Sequence, residues 1–379
     1  MIHAMSRNEV GSTVDVVVIG GGIVGVSAAA YLATRGRRVA LLERTEIAAG
    51  ASGRNSGVVQ HPFDPVLVEL HLDTLALYRA LEGLSLPLSP VGLLNVTHDA
   101  EGARRLTAEI AASHPHLRPS FVSPDEMHSL EPAVASGVAA CRLDIGYPVA
   151  PAAATRTYAA WARRLGVDIR LGSPAGVWLV GDRAVGVTLQ SGDRIGAGDV
   201  VVAAGPWTPS IVDPGGGWRP IRPNWGVVVP LHLADPPRHV MEEAEISIEP
   251  GAASDDMAIA FSLVTADGAS SLGSTFLEDE PDAEAVVPAL VRHGTAFVPS
   301  IATAPREQPR RCARPLSLDG RPLVGRVPGT SGLWVAAGHG PWGISTGPAS
   351  GRLVADLIDG RVAGPPAALD PARFGAPSA

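Results

Sequence analysis

Four consecutive apolar residues, Val16-Val17-Val18-Ile19, precede glycines at 20, 22 and 25, and a longer run extends from Ile23 to Arg35. A short apolar run closed by glycine predicts a buried strand, and the longer run predicts a helix. Arg38 to Leu42 predicts a second strand, which ends on the acid Glu43. Further along, Pro151 to Leu165 predicts a helix, and Val167 to Leu171, Val177 to Val180, Ala184 to Leu189 and Val200 to Ala203 predict strands with glycine-containing turns between them. The text changes from Val227 to Phe276, where the alternation beginning Val227-Val228-Val229-Pro230-Leu231-His232-Leu233 predicts a mostly antiparallel sheet rather than more βαβ units. Leu333 to Ala337 predicts one more strand, Pro348 to Ile358 a last helix, and the Ala/Pro-rich stretch from Ala363 a loose tail.

The expected fold class is α/β: a Rossmann-like nucleotide-binding domain made of residues 1–86, 150–222 and 312–379, with an inserted, mainly antiparallel β domain for substrate made of residues 87–149 and 223–311. A chain of 379 residues is too long for one ordinary core, which agrees with two domains.

The first strand, turn, helix and acid have the layout that binds a dinucleotide. Gly20 permits the tight turn, Gly22 leaves no Cβ between backbone and pyrophosphate, and Gly25 lets the helix lie close to the strands. The helix N-terminus then faces the phosphates. Glu43 lies near the spacing of about 20 residues expected of an acid that accepts the ribose hydroxyls. A second triplet, Gly338, Gly340 and Gly343, has the same spacing, but no strand ending in an acid follows it. It reads as a helix N-terminus able to stabilise negative charge rather than as a second nucleotide site.

Composition narrows the classes. With 30 basic and 38 acidic side chains the net charge is −8, and no basic run offsets it, so nucleic acid is not expected as a partner. Met1 to Thr13 lacks the apolar centre of a signal peptide, and no stretch reaches the ~18 apolar residues of a membrane span. A cytoplasmic location is expected. The two cysteines, Cys141 and Cys312, form no disulfide framework, and neither they nor the scattered histidines have metal-ligand spacing, so no metal is expected.

Four segments together resemble the flavin-dependent D-amino acid oxidase superfamily, and within it the glycine oxidase and sarcosine oxidase branch. They are the N-terminal fingerprint, the loop Gly50-Ala51-Ser52-Gly53-Arg54-Asn55-Ser56-Gly57, the run Val200 to Trp207, and the segment from Arg314-Pro315 through Asp319-Gly320-Arg321-Pro322-Leu323-Val324-Gly325 to Ala337-Gly338-His339. The resemblance spans nearly the whole chain in the same order. It implies an FAD enzyme that oxidises the C–N bond of an amino acid or related amine by hydride transfer to flavin N5, giving an imine. A 2-hydroxyacid dehydrogenase or oxidase stays open, since the superfamily holds such members and the Gly53 to Gly57 wording is similar to theirs. So does a flavoprotein subunit that works only with a partner.

By the same resemblance, Ile23 and Val24 would face the pyrophosphate, with Gly20, Gly22 and Gly25 of the fingerprint completing that part of the cofactor site, and Glu43 and Arg44 the adenosine ribose. Ala51, Ser52, Arg54, Asn55, Ser56, Gly57 and Val58 would lie on the flavin side. Ala175 would contact adenine, and Ala204, Gly205 and Trp207 complete the cofactor set. Gly338, His339, Gly340, Trp342, Gly343, Ile344 and Ser345 would line the pyrimidine edge of the isoalloxazine, where a helix dipole stabilises negative charge. Arg314 is the expected clamp for a substrate carboxylate. Phe261 stands where glycine oxidase relatives place a Tyr, and Phe261, Trp225 and Trp342 are the candidate pocket walls. His61 and His339 are candidate bases should the substrate be a hydroxyacid. Non-covalent FAD is expected, with a link to Cys312 as the alternative. The remaining partners are an amine or amino acid, oxygen or another electron acceptor, and an unspecified homo- or hetero-oligomer.

Overall fold

The computed structural model describes residues 12–244 and 259–377. The expectation for Met1 to Thr13 therefore lies almost wholly outside the described residues, as does part of the text from Val227 to Phe276.

The strand Ser12–Ile19 runs parallel to Val39–Leu42 on one side and to Arg194–Val202 on the other. Leu333–Ala337 and Asp168–Arg170 extend the parallel sheet outward. The hairpin Ala175–Val180 and Arg183–Leu189 and the strand Leu323–Arg326 add antiparallel margins, for eight strands among the described residues. Both faces of this sheet are covered, which is why its first strand is apolar throughout. Val16 and Val18 pack on one side against the helices, and Val17 and Ile19 pack on the other with Leu42, Val200 and Val335.

Two helices meet over that sheet. Ile23–Thr34 crosses Gly343–Ile358 where Gly347 and Gly351 present no side chain. A Cβ at Gly347 would lie 2.9 Å from Ile23 Cγ2, and one at Gly351 would collide with Ser27 Oγ. The second helix begins at Gly343, five residues ahead of the expected Pro348. Pro348 therefore lies inside it and cannot donate to Ile344 O, and the Tyr78 hydroxyl donates to that carbonyl instead, at 2.8 Å. A further correction concerns the Ala/Pro-rich end. Leu369 is buried, Val324 N donates to Leu369 O, and Arg373 pairs with Asp319 at 2.7 Å, so this segment is packed on the sheet and is not a loose tail.

The second sheet also has eight strands among the described residues, in the order Arg310–Ser317, Ile221–Leu231, Ala269–Thr275, Ile259–Ala266, Val240–Glu243, Leu93–Thr97, Ala139–Leu143 and Ser120–Val122. All neighbours are antiparallel except Val240–Glu243 with Leu93–Thr97. One face carries Val227, Val229, Met241, Phe261, Leu263 and Leu272, packed with Leu290 and Phe297 of the helix Ala283–Phe297. The opposite face looks toward the first sheet across a cavity.

Candidate active site

That cavity measures about 840 Å³, and one long wall is the glycine turn. Gly20 has φ +118, and a Cβ there would collide with Ala203 O, so the turn needs glycine. Gly25 is packed on Gly20 O and does not line the space. Gly22 lies at the N-terminus of Ile23–Thr34, where a Cβ would meet only Ser52 Oγ at 3.1 Å. Ser52 Oγ accepts from Ile23 N at 3.0 Å, which leaves its own proton available to an anion over the helix end. Glu43 is fixed to the same wall, since Oε2 accepts from Gly21 N at 2.7 Å and Oε1 from Thr45 N at 2.9 Å. Arg44 lies over the Trp207 ring at 3.9 Å, and both line the cavity with Ser173, Pro174 and Ala175.

Ala204, Gly205, Ile23, Val24, Ala51, Arg54, Ser56, Gly57 and Val58 line the cavity as well. Asn55 reaches it, but its side chain holds the loop: Nδ2 donates to Ala51 O and Ser52 O, and Oδ1 accepts from Gly57 N. At the far end His339, Gly340, Trp342, Gly343, Ile344 and Ser345 form the wall, with the helix from Gly343 starting there. Gly338 does not line the cavity; with φ +89 it shapes the turn behind.

The opposite wall is the second sheet. Arg314 spans the strand beside it. Its guanidinium lies over Gly226, where any side chain would collide with it, and donates to Ser274 Oγ at 2.6 Å, Thr275 O at 2.8 Å and Asn224 Oδ1 at 3.3 Å. Phe276 stacks on it at 4.6 Å. All of these partners are neutral, and among the described residues no carboxylate pairs with Arg314. Burial pulls its pKa below the ordinary guanidinium value, yet arginine keeps its charge in proteins.

Phe261 and His61 lie off the cavity, whereas His339 lines it with its ring engaged by Ser350. Phe261 is buried and stacked on Phe297, with ring centroids 4.6 Å apart, because alternation turns its neighbour Ser262, and not Phe261, toward the cavity. Trp225 and Trp342 do line it. His61 is outside the lining, in a layer with His71, Phe63 and His116, and burial, with smaller effects of His116 and His114, lowers its pKa to about 4. His339 is wholly buried, its Nε2 tied to Ser350 Oγ at 2.9 Å, and burial lowers its pKa to about 4. Cys312 lines the cavity with 5% of its surface exposed, and burial raises its pKa, so it stands there as a thiol. Among the described residues no group of His, Cys, Asp and Glu could hold a metal ion.

Sequence reading missed Ser274, Thr275 and Asn224, which hold Arg314, and also Gln60, Glu242 and Ser262 of the same wall. Their signal is cross-strand and invisible in linear spacing, although Ser274 and Thr275 follow a glycine that closes a strand pattern.

The sequence model of one protein family, FAD dependent oxidoreductase, matches residues 15–357. The chain belongs to this family. A glycine oxidase of Pseudomonas aeruginosa is 28% identical over 366 residues, covering 91% of this chain and 95% of the relative. Among solved structures, iminodiacetate oxidase from Chelativorans sp. BNC1 superposes with a TM-score of 0.80 at 23% identity, over 96% of this chain and 100% of that one. Glycine oxidase from Bacillus cereus superposes with a TM-score of 0.79 at 22% identity, over 92% and 96%. The α/β fold with its second antiparallel sheet is thus the fold of these two oxidases, and this member of the FAD dependent oxidoreductase family is an enzyme with FAD as its cofactor. The cavity fits the group, since the bare Gly22 backbone and the Ser52 hydroxyl meet at a helix N-terminus and leave room that a Cβ would fill. A buried thiol, rather than a thiolate, at position 312 agrees with non-covalent attachment. Among the described residues no helix is long and apolar enough to cross a membrane.

Proposed function

We propose that the protein oxidises the C–N bond of an amino acid or related carboxylated amine, with oxygen or another electron acceptor as the final oxidant. The observation that carries this reading is Arg314: a partly buried guanidinium, facing the cavity, with only neutral partners. Such a charge favours an anion from outside, and a planar fork suits a carboxylate. Ser274, Thr275 and Asn224 fix the fork in advance, which limits the ordering cost of binding.

In this reading the substrate carboxylate lies on Arg314 and its amine is oriented between the two sheets, with Trp225 and Trp342 excluding water. Gly22, Ser52 and Glu43 would hold FAD, which would supply the acceptor for a hydride and its electron pair from the carbon next to nitrogen. The amine loses a proton to solvent, the C=N bond forms, and water hydrolyses the imine after release. The helix N-terminus at Gly343 to Ser345 stabilises negative charge developed at that end of the cavity. A hydroxyacid substrate needs a base to take the alcohol proton. His61 lies outside the cavity and His339 is tied to Ser350, which disfavours that alternative.

Replacing Arg314 by Leu tests the clamp. The proposal expects kcat/KM for a carboxylated amine to fall by roughly 100-fold or more, with FAD still bound. Unchanged kinetics in the FAD-loaded variant would remove Arg314 from the substrate site.

A further inference from the structure

The helix Pro65–Ala80 buries a stripe at helical spacing, made of Leu67, Leu70, His71, Thr74, Leu75 and Tyr78. His71, Thr74 and Tyr78 are polar and stand three and four residues apart, so they share one face. Thr74 and Tyr78 are wholly buried, and His71 is 2% exposed. Buried polar groups call for partners, and this face meets the opening turns of Gly343–Ile358. The Tyr78 hydroxyl donates to Ile344 O at 2.8 Å, Thr74 Oγ1 accepts from Ala349 N at 3.3 Å, and His71 stands against the Ser345 backbone. Burial raises the Tyr78 pKa, so the phenol keeps the proton it donates.

Those opening turns depend on outside support. Pro348 has no N–H for Ile344 O, so the segment from Gly343 to Gly347 lacks one of the bonds that fasten it to the rest of the helix, and helices bend most readily at such a break. Gly343, Ser345, Thr346 and Gly347 add little helix propensity of their own. The first N–H groups of a helix have no partner within it, and here Gly343, Ile344 and Ser345 line the cavity. Ser345 Oγ accepts from Gln60 N at 2.8 Å, which leaves its own proton to donate on the same wall. The potential of a helix end acts within about its first turn, so the direction of this turn decides how much of it reaches the cavity. Tyr78 stands in for the bond that Pro348 cannot make.

We infer that Tyr78, seconded by Thr74, is a positioning residue for the flavin: by holding the first turn of Gly343–Ile358 on the cavity it stabilises the added negative charge of the reduced cofactor and so sets its potential. This rests on the reading that puts that charge at the Gly343 end of the cavity, and it adds the residues that keep the helix end in place.

The test is the midpoint potential of the bound FAD, measured by equilibration of the purified protein with reference dyes, together with the melting temperature. Tyr78→Phe is expected to shift the oxidised-to-reduced equilibrium roughly threefold to tenfold toward the oxidised form, a potential lower by about 14 to 30 mV for a two-electron couple. Thr74→Val, which keeps the side-chain volume, is expected to act in the same direction by less, and it decides the matter should Tyr78→Phe fail to fold. Tyr158→Phe is the control. Its hydroxyl is equally buried but pairs with the Tyr31 hydroxyl at 3.1 Å rather than with the first turn of Gly343–Ile358, so its loss should lower the melting temperature and leave the potential unchanged. A potential in Tyr78→Phe and Thr74→Val equal to that of the unaltered protein overturns the inference, and so does an equal shift in Tyr158→Phe. Failure of the underlying reading looks different, because Ser345→Ala, which removes a donor from the cavity wall itself, would then leave the potential unmoved as well.

Discussion

Gly22 carries the cofactor assignment at the scale of a single residue. Its backbone is extended, and the one protein atom a Cβ there would crowd is Ser52 Oγ at 3.1 Å, the tip of a side chain that can give by a few tenths of an ångström, so the fold of the polypeptide alone makes only a small demand for glycine. Gly20 is different, because its φ of +118 and the Ala203 carbonyl exclude any other residue. Replacing Gly22 by Val should therefore give a folded protein, by circular dichroism, that is colourless because the isopropyl group stands over the helix end where phosphate would lie. Full yellow occupancy of that variant would contradict the assignment. The glycine spacing made this wall legible in the sequence. Arg314 was legible only as a residue, because its three partners come from two other strands and its lack of an acid partner is a property of the folded sheet.

Elements show where linear patterns run out. The helix Gly343–Ile358 opens with Gly343, Ser345, Thr346, Gly347 and Pro348, a sequence of weak helix formers, so propensity places its start too late. Tertiary contacts sustain the missing turn: Tyr78 donates to the carbonyl that Pro348 orphans, and Ala349 N donates to Thr74 Oγ1 at 3.3 Å. Tyr78→Phe should then leave Ile344 O buried and unpaired, at a cost of about 1–3 kcal/mol measurable by denaturant unfolding. Unchanged stability would mean that the carbonyl finds another donor. The stretch Ile259-Ala260-Phe261-Ser262-Leu263-Val264 is nearly apolar in both phases, so alternation alone could not assign Phe261 to a face. The end segment follows the same rule, since its order comes from Leu369 and Arg373 contacts that composition does not register.

At the scale of the whole molecule, three buried histidines couple the fold to pH. His61, His71 and His339 each have a pKa lowered to about 4, chiefly by burial, against an ordinary value of 6.5. A depressed histidine binds its proton more readily in the unfolded chain, so its stability is present above pH 6.5 and is lost as pH falls toward 4. The loss approaches an order of 3 kcal/mol for each group at the lower limit. His293, raised by its hydrogen bond to Glu243, contributes in the opposite sense and loses its share as pH rises above 6.5. A melting temperature that declines steadily from pH 6.5 to 4 is expected, and a flat profile over that window would contradict neutral burial of the three rings.

The two sheets enclose one cavity whose first wall suits a dinucleotide and whose second presents an uncompensated guanidinium. The most direct test of that pairing is an anaerobic absorbance titration of the purified yellow protein with amino acids and related amines on one side and 2-hydroxyacids on the other. Bleaching of the flavin band by a carboxylated amine is the predicted result. Bleaching by hydroxyacids alone would contradict C–N oxidation and reassign the site to alcohol chemistry.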